Sequence, residues 1–390
     1  MLSEIVLSFF TASSLLSLLY AIVAKRQKAP KMPEKLPKVS VMTYAYMDDW
    51  AGNVIKRKIE NFLKLDYPKN KMEIIVYDNG STGKTLRICK QYEKMGLIKH
   101  YRSDKGYNRK GQVLDDAIRD VAKGDIIALT DPDGICERSW LRKHVGTLMS
   151  NKKIGASIGM IFCGNWYKNL MTRMRAIEDN WMINISYLGR EKLGVEQYLC
   201  GANYAFKRSV WKNIGGHGKS LVEDEEMAEN LKKRGWKIAV TGASVWQEEV
   251  ESIKHFFIQR MRWYSLPIRF VFSKKKFASS LVSLNPVAIQ TVSLISLIAL
   301  LVSASQLVRM LSAATLLVSF LTLVISLVKM KEKHLIAFIP VYLFLDTFLT
   351  LVCLFFARGV SLLGKEVRWE RLSNRKYYHN GTRIKVNRNY

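Results

Sequence analysis

At 390 residues, the chain is long enough for one large domain and a second region. Its 61 lysines and arginines against 33 aspartates and glutamates give a formal net charge of +28. The basic residues stand beside apolar segments, as in AKRQK, FSKKKF and KMKEKH. This placement argues against a nucleic-acid groove and favours a surface that faces anionic lipid. The cysteines form no CxxC pair and histidine is sparse, which argues against a zinc site.

The chain begins with an apolar segment, residues 2–24, that is about long enough to cross a bilayer. The basic residues KRQK follow this segment, whereas a cleaved signal peptide has its positive charges before the apolar run. We therefore predict a transmembrane anchor over 1–25 with its N-terminus outside. A linker rich in proline and lysine follows over 26–38.

Residues 39–252 alternate short apolar strands with stretches of helical spacing. The predicted strands lie in KVSVMTYAY, MEIIVYDNG and GDIIALTDPDG, and each ends in a polar turn. This alternation predicts an α/β domain with a mainly parallel sheet, whose ligands bind at the carboxyl ends of the strands. Four aspartates fall at such ends: Asp48, Asp78, Asp131 and Asp133.

The C-terminal third is apolar and basic. Aromatic and basic residues over 253–278 predict amphipathic interfacial helices. Transmembrane helices are predicted over 279–358, in apolar segments near 279–304, 307–328 and 335–357, and a basic tail over 359–390 follows.

The charge of this tail predicts that it stays inside, so that one apolar segment does not cross fully. Pro340 and Asp346 interrupt 335–357, which makes that segment the candidate. Asp346 is either a functional acid within the membrane or half of a buried pair with a basic neighbour.

Asp131 and Asp133 follow a strand that is apolar enough to lie inside a sheet. Two carboxylates this close repel each other and are costly to desolvate unless a cation or hydrogen bonds hold them. One interpretation is a shared divalent cation. The other is an Asp-Pro-Asp-Gly turn that only closes the strand.

Taken in order, the motifs over residues 39–263 resemble the membrane-bound family 2 glycosyltransferases, which include cellulose, chitin and hyaluronan synthases and polyprenyl-phosphate sugar transferases. The segments that carry the resemblance are VSVMTYAY, IIVYDNGST, RKGQVLDDAI, DPDG, GANYAFKRSVWKNIGG, VEDEEMAENLKKRGWKIA and QRMRW. Two departures stand out. Met47, Asp48 and Asp49 replace the usual Asn-Glu pair, and His217 replaces an aromatic residue after Gly-Gly.

The resemblance implies a GT-A catalytic domain, a Rossmann-like mixed sheet, attached to an α-helical transmembrane region. It implies a divalent cation, Mn²⁺ or Mg²⁺, on Asp131 and Asp133. The residues it implies for the nucleotide sugar are Thr43, Tyr44, Tyr46, Asp48, Asp78, Lys110, Asp131, Asp133, Gln259, Arg260 and Arg262.

Asp224 is the candidate general base, which takes the proton from the acceptor hydroxyl in an inverting displacement. The residues expected on the acceptor side are Gly201, Ala202, Asn203, Glu223 and Trp263. Both assignments have simpler alternatives. The acids of VEDEE also suit a helix N-terminus, and QRMRW also suits a helix that meets lipid phosphates.

The predicted activity is transfer of a sugar to a lipid-linked acceptor, such as dolichyl or polyprenyl phosphate, by an integral protein of the cell membrane with its catalytic domain in the cytosol. A processive polysaccharide synthase is the alternative within the family. A two-metal nuclease and a non-enzymatic basic membrane protein are alternatives from other classes. The sequence predicts no nucleic-acid partner, leaves the oligomeric state open, and disfavours a disulfide between Cys163 and Cys200.

Overall fold

The computed structural model describes residues 2–27, 30–45, 51–103, 105, 107, 109–218, 222–264 and 285–362. The chain divides into two compact units. Within the described residues, the helical unit comprises 2–25, 166–195 and 249–362, and the sheet unit comprises the remainder up to 248. The predicted domain boundaries stay a prediction, although residues 166–195, predicted as part of the catalytic domain, pack with the helical unit.

The sheet unit alternates strands and helices. Its strands are β1 (Val39–Ala45), β2 (Met72–Asp78), β3 (Lys99–Arg102), β4 (Ile126–Thr130), β5 (Ile135–Cys136), β6 (Ile154–Cys163), β7 (Asn203–Lys207) and β8 (Lys237–Gln247). Its helices are α2 (Ala51–Leu63), α3 (Gly83–Lys94), α4 (Lys110–Asp120), α5 (Trp140–Ser150), α8 (Arg208–Ile214) and α9 (Glu223–Lys233).

The helical unit contains α1 (Leu2–Val23), α6 (Leu170–Glu178), α7 (Ser186–Lys192), α10 (Ile253–Tyr264), α11 (Asn285–Val302), α12 (Gln306–Lys329), α13 (Ile339–Val341) and α14 (Thr347–Leu362). A π-helical turn, Asp179–Ile185, joins α6 to α7, and a second one, Tyr342–Asp346, joins α13 to α14.

The strands form one mixed sheet in the order β3-β2-β1-β4-β7-β6-β8-β5. The first half is parallel, as the strand–helix alternation predicts. The parallel pairing is interrupted at β7, which runs antiparallel to both β4 and β6, and β6 and β8 are again parallel. Ala45 pairs with Asp78 at the carboxyl edge of the parallel half, where β4 also ends. The predicted binding edge therefore exists in the structure.

Asn203, at the start of β7, is a hub of hydrogen bonds in the sheet. It is fully buried. Its Oδ1 accepts hydrogen bonds from Trp140 Nε1 at 2.8 Å and His144 Nε2 at 3.0 Å. Its Nδ2 donates to the backbone oxygens of Met160 and Ala243 at 2.8 and 3.0 Å. These four hydrogen bonds use the full capacity of the side-chain amide. A contact of Asn203 with the acceptor stays a prediction.

His144 is neutral in this arrangement, since burial lowers its pKa to about 4. Its Nε2–H donates to Asn203, and its Nδ1 then accepts a hydrogen bond from Ser157 Oγ at 2.8 Å. The chain of hydrogen bonds therefore ties α5 and β6 to the antiparallel strand β7.

Three described helices are long and apolar enough to cross a membrane: Ser3–Val23, Gln306–Lys329 and Lys333–Ala357. Val292–Val302 is a shorter apolar helix. Pro340 does not break the last segment, because it stands in the first turn of a helix, where its missing N–H costs nothing.

Asp346 is fully buried and forms an ion pair with Arg175, another residue of the helical unit. Of the two interpretations of this acid, the described geometry therefore favours the buried pair. All five cysteines are free thiols, so Cys163 and Cys200 do not form a disulfide.

We expect Asn203→Ala to lower the free energy of unfolding by about 3 kcal/mol, because it leaves buried donors and acceptors without partners. Chemical denaturation in detergent measures this loss. Asn213→Ala is the matched control, since Asn213 also accepts from an indole N–H, that of Trp236 at 3.3 Å, but on the surface. Equal losses in the two variants would contradict the role of Asn203 as a hub.

Candidate active site

A lysine bridges acidic groups from two elements at the carboxyl edge of the sheet. Lys110 Nζ, at the start of α4, lies 2.5 Å from Asp131 Oδ1 and 3.8 Å from Glu223 Oε1. Burial alone would lower the pKa of Lys110, but Asp131, Tyr77 and Glu223 outweigh it and hold the pKa well above its usual value. The ammonium therefore stays charged and holds the two carboxylates together.

A glycine permits this close approach. A Cβ at Gly111 would lie 2.9 Å from Glu223 Cβ and 3.5 Å from His217 Cβ, closer to Glu223 than side chains tolerate. The Lys-Gly pair at the start of α4 thus has two functions. The lysine supplies the charge, and the glycine makes room for the first turn of α9.

Asp224 follows Glu223 in the first turn of α9. Its Oδ2 accepts the backbone N–H of Gly201 at 2.5 Å, and its Oδ1 accepts that of Glu225 at 3.0 Å. Burial, and then the neighbouring charge of Glu223, raise the pKa of Asp224 to about 6. A fixed carboxylate that titrates near neutral pH is suited to accept a proton.

Asp131 and Asp133 stand in the turn that follows β4. The carboxyl group of Asp131 is about one-third exposed, at 36%. The described residues contain no group of three or more His, Cys, Asp or Glu side chains that could enclose a metal ion. Mg²⁺-like ions bind through one or two carboxylates together with substrate phosphates and water. The pair fits that mode of binding, in which the substrate supplies the remaining ligands.

Asp78, predicted to contact the nucleotide base, is fully buried in a hydrogen-bond network. Ser81 donates to it through its backbone N–H at 2.7 Å and its hydroxyl at 2.6 Å, and His100 Nε2 lies at 2.9 Å. Burial alone would raise the pKa of Asp78, but the bonds from His100 and Ser81 outweigh it and lower the pKa. Arg102 adds a contact at 3.4 Å.

A second buried network, absent from the predicted site, lies next to Lys110. Trp211 Nε1 donates to Asp115 Oδ1 at 2.8 Å, and His217 Nδ1 lies 2.6 Å from the same oxygen. His217 Nε2 lies 3.0 Å from the hydroxyl of Tyr204. This network explains the histidine after Gly-Gly: an aromatic hydrocarbon ring there would leave Asp115 and Tyr204 without this partner. The only signal of this network in the sequence was His217 in place of the usual aromatic residue. Nothing in the sequence around Asp115 indicated its role.

Of the other predicted site residues in the sheet unit, some are buried and some lie outside the described residues. Thr43 is fully buried and donates to the backbone oxygen of Thr130 at 3.0 Å, and the ring of Tyr44 packs 5.3 Å from that of Tyr77. Ala202 is buried beside Gly201. Tyr46 and Asp48 lie outside the described residues.

The segment QRMRW lies in α10 of the helical unit. Arg260 is buried, forms an ion pair with Glu178, and has its guanidinium carbon 4.4 Å from the centre of the Trp263 ring. The described geometry thus gives Arg260 an internal ion pair. Trp263 is 37% exposed, Gln259 is half-buried, and the side chain of Arg262 lies outside the described residues. Contacts of these four with substrate stay predictions.

Comparison with known proteins relates residues 40–215 to a family of enzymes. Residues 40–215 match the model of glycosyl transferase family 2. The chain is 31% identical to probable glycosyltransferase YdaM of Bacillus subtilis over 59% of this chain and 55% of that protein. It is 26% identical to a cellulose synthase catalytic subunit of Pseudomonas fluorescens, over 59% of this chain and 31% of that protein. It is 27% identical to the beta-monoglucosyldiacylglycerol synthase of Nostoc, over 58% of this chain and 48% of that protein.

A solved mannosyltransferase from Pyrobaculum calidifontis, in complex with GDP-Man and Mn²⁺, superposes with a TM-score of 0.59 at 19% identity, over 93% of this chain and 99% of that one. This likeness concerns the fold. The chain spans about half the length, or less, of the curated relatives named above. Residues 40–215 therefore form a domain of glycosyl transferase family 2, as the strand-end motifs indicate, and the fold is GT-A.

Proposed function

We propose that the chain catalyses the inverting transfer of a sugar from a nucleoside diphosphate sugar, with uridine or guanosine as the nucleoside, to a lipid acceptor. The observation that carries this proposal is the arrangement of Asp224. Its carboxylate is fixed by two backbone N–H groups and lies next to Glu223, which the ammonium of Lys110 joins to Asp131.

On this proposal, Asp131 and Asp133 hold a divalent cation, Mn²⁺ or Mg²⁺, together with the donor diphosphate. When bound, the cation offsets the negative charge that grows on the leaving diphosphate. Lys110 already lies against Asp131 and adds a second positive charge at the same place. Asp78 organises the end of β2, where we propose that the nucleoside lies.

Asp224 is the proposed base of a single displacement. An acceptor oxygen, which in a lipid phosphate is the P–OH oxygen of the monoanion, forms a bond to the anomeric carbon as that carbon's bond to the diphosphate oxygen breaks, and the proton on the attacking oxygen passes to Asp224. Attack from the face opposite the leaving group inverts the anomeric centre. Glu223 contributes through its charge, which together with burial keeps the pKa of Asp224 at about 6. A base with this pKa is half-ionised near pH 6 and mostly ionised at pH 7.

We propose a lipid acceptor of the polyprenyl- or dolichyl-phosphate type, at the cytosolic face of the cell membrane. The described chain carries helices apolar enough to cross a membrane, so the domain is tethered where lipids are. The formal charge of +28 supports an anionic lipid headgroup. The likeness to a beta-monoglucosyldiacylglycerol synthase supports a lipid acceptor of some kind.

A processive polysaccharide synthase is the second candidate, and the likeness to a cellulose synthase catalytic subunit favours it. A tunnel for an extruded polymer needs several spanning helices around it. The described residues offer three that satisfy length and hydropathy, and the matched region covers only 31% of the cellulose synthase subunit. We therefore favour the transfer of one sugar, or of a few, to a lipid.

Asp224→Asn is expected to lower turnover by roughly 10² or more, because the amide keeps the shape of the side chain but accepts no proton. The wild-type turnover is expected to fall as the pH drops below about 6, where Asp224 becomes protonated. The turnover of the variant is expected not to show this fall at low pH. Initial rates of nucleoside diphosphate release, measured from pH 5 to 8 at saturating donor, check both expectations.

Glu229→Gln is the matched control, because it removes a carboxylate from the same helix outside the site. It is expected to leave the rate and the pH limb unchanged. Weak donor binding with normal turnover at saturation in Asp224→Asn would instead identify Asp224 as a binding residue.

Purified protein, incubated with labelled UDP- or GDP-linked hexose, polyprenyl phosphate and Mn²⁺, is expected to yield a short product that extracts into organic solvent. Thin-layer chromatography of the organic phase measures it. Asp131→Ala and an excess of EDTA are each expected to abolish the product, and added Mn²⁺ is expected to restore the EDTA-treated sample.

Three results would count against parts of the proposal. A long water-soluble polymer made without added lipid would establish the synthase instead. Labelled product with diacylglycerol but none with polyprenyl phosphate would support a lipid acceptor and contradict the proposal that this lipid carries a phosphate. Full activity in excess EDTA would contradict the proposal that the transfer depends on a divalent cation.

A further inference from the structure

A lysine is buried beneath the turn that carries Asp131 and Asp133. Lys58, on α2, has no exposed surface. Its ammonium donates to the backbone oxygen of Gly134 at 2.7 Å, to Thr130 Oγ1 at 3.2 Å and to Cys136 Sγ at 3.6 Å. A lysine ammonium carries three N–H donors, and these three acceptors use all of them.

The three acceptors lie on both sides of the two aspartates: Thr130 precedes Asp131, while Gly134 and Cys136 follow Asp133. Lys58 therefore connects the end of β4 to β5 across the base of the turn. A Cβ at Gly134 would lie 2.6 Å from Val245 Cγ1, so the turn is also packed tightly from β8. Its shape is fixed by contacts on two sides.

Two neighbours of Lys58 on α2 support the same segment. Arg57 donates to the backbone oxygen of Asp133 at 3.3 Å and pairs with Glu248 at 2.8 Å. Asn61 donates to the backbone oxygen of Cys136 at 2.9 Å and accepts its N–H at 2.9 Å. The face of α2 that bears these side chains is thus a clamp on residues 130–136.

A lysine is a costly way to fill this position. Burial of an ammonium is unfavourable, and burial lowers the pKa of Lys58, while Cys136, Asp133 and Asp131 act in the opposite direction. A methionine side chain has a similar length and would fill the space without that cost. What it cannot supply is the hydrogen bonds across the turn or a positive charge close to both aspartates.

We propose that Lys58 is a positioning residue of the metal–diphosphate site: it fixes the Thr130–Cys136 turn in the shape that lets Asp131 and Asp133 bind one cation together. This inference rests on the proposed function. It gives α2, which carries none of the predicted site residues, control over how strongly the metal and the diphosphate bind each other at the site.

Isothermal titration calorimetry of the full chain in detergent tests the inference, with UDP and GDP as probes, each with and without Mn²⁺. For Lys58→Met, the strengthening of nucleotide binding by Mn²⁺ is expected to fall about 10-fold to 100-fold, the usual effect of losing support behind metal ligands. The metal-free affinity is expected to stay unchanged, because contacts at the ends of β1 and β2 are not altered. A purely structural role would not separate these two affinities.

Lys56→Met is the matched control, since Lys56 is 54% exposed on the same helix and pairs only loosely with Glu60 at 4.0 Å. It is expected to bind like the wild type. Thr130→Val removes a single acceptor of the Lys58 ammonium and is expected to reduce the Mn²⁺ effect in the same direction by a smaller factor. This variant decides the question if Lys58→Met does not fold.

The outcomes separate the two proposals. If the wild type shows Mn²⁺-strengthened binding and both Lys58→Met and Thr130→Val show the same strengthening, the role of Lys58 is overturned and the proposed function stands. If the wild type binds neither nucleotide with Mn²⁺, the proposed function fails, and the role of Lys58 fails with it.

Discussion

The candidate site depends on the electrostatic problem of keeping several carboxylates close together at one edge of a sheet. Asp131, Glu223 and Asp224 would repel one another in a buried setting, and the fold offsets this repulsion with Lys110 and with backbone N–H groups. The glycine beside Lys110 follows from the same requirement, because a side chain there would separate Lys110 from the acids. The positions of α4, α9 and the end of β4 are thus tied to one ammonium group.

The sequence predicted the part of this arrangement that follows from strand ends. An apolar strand that ends in a polar turn places its last residues at the edge of a parallel sheet, and Asp78 and Asp131 lie there. The motifs also led correctly to the family and to the GT-A fold. The antiparallel course of β7 was not visible in local patterns, since strand direction depends on the path of the chain and not on the residues of the strand.

The internal hydrogen bonds of Asn203 were not predicted, for a similar reason. Its motif placed it close to Gly201, but Gly201 lies in the turn before β7, whereas Asn203 is the first residue of the strand. Gly201 reaches Asp224, whereas Asn203 turns inward to Trp140 and His144. Lys58, His100 and Asp115 were missed for a related reason. Each acts through partners at least 22 residues away, and a lysine, histidine or aspartate on a helix or strand has no local signature of such a partner.

The carboxyl group of Asp224 also affects the acid response of the whole sheet unit. Its pKa is about 6 in the folded chain, against 3.8 as the ordinary value. Between these two pH values the folded chain holds a proton that the unfolded chain has released, so this group makes folding more favourable as the pH falls from about 6 towards 4. Above pH 6 the ionised carboxylate lowers the free energy of unfolding. The acid that suits the site for catalysis is thus one that mild acidity stabilises while it stops the proposed reaction.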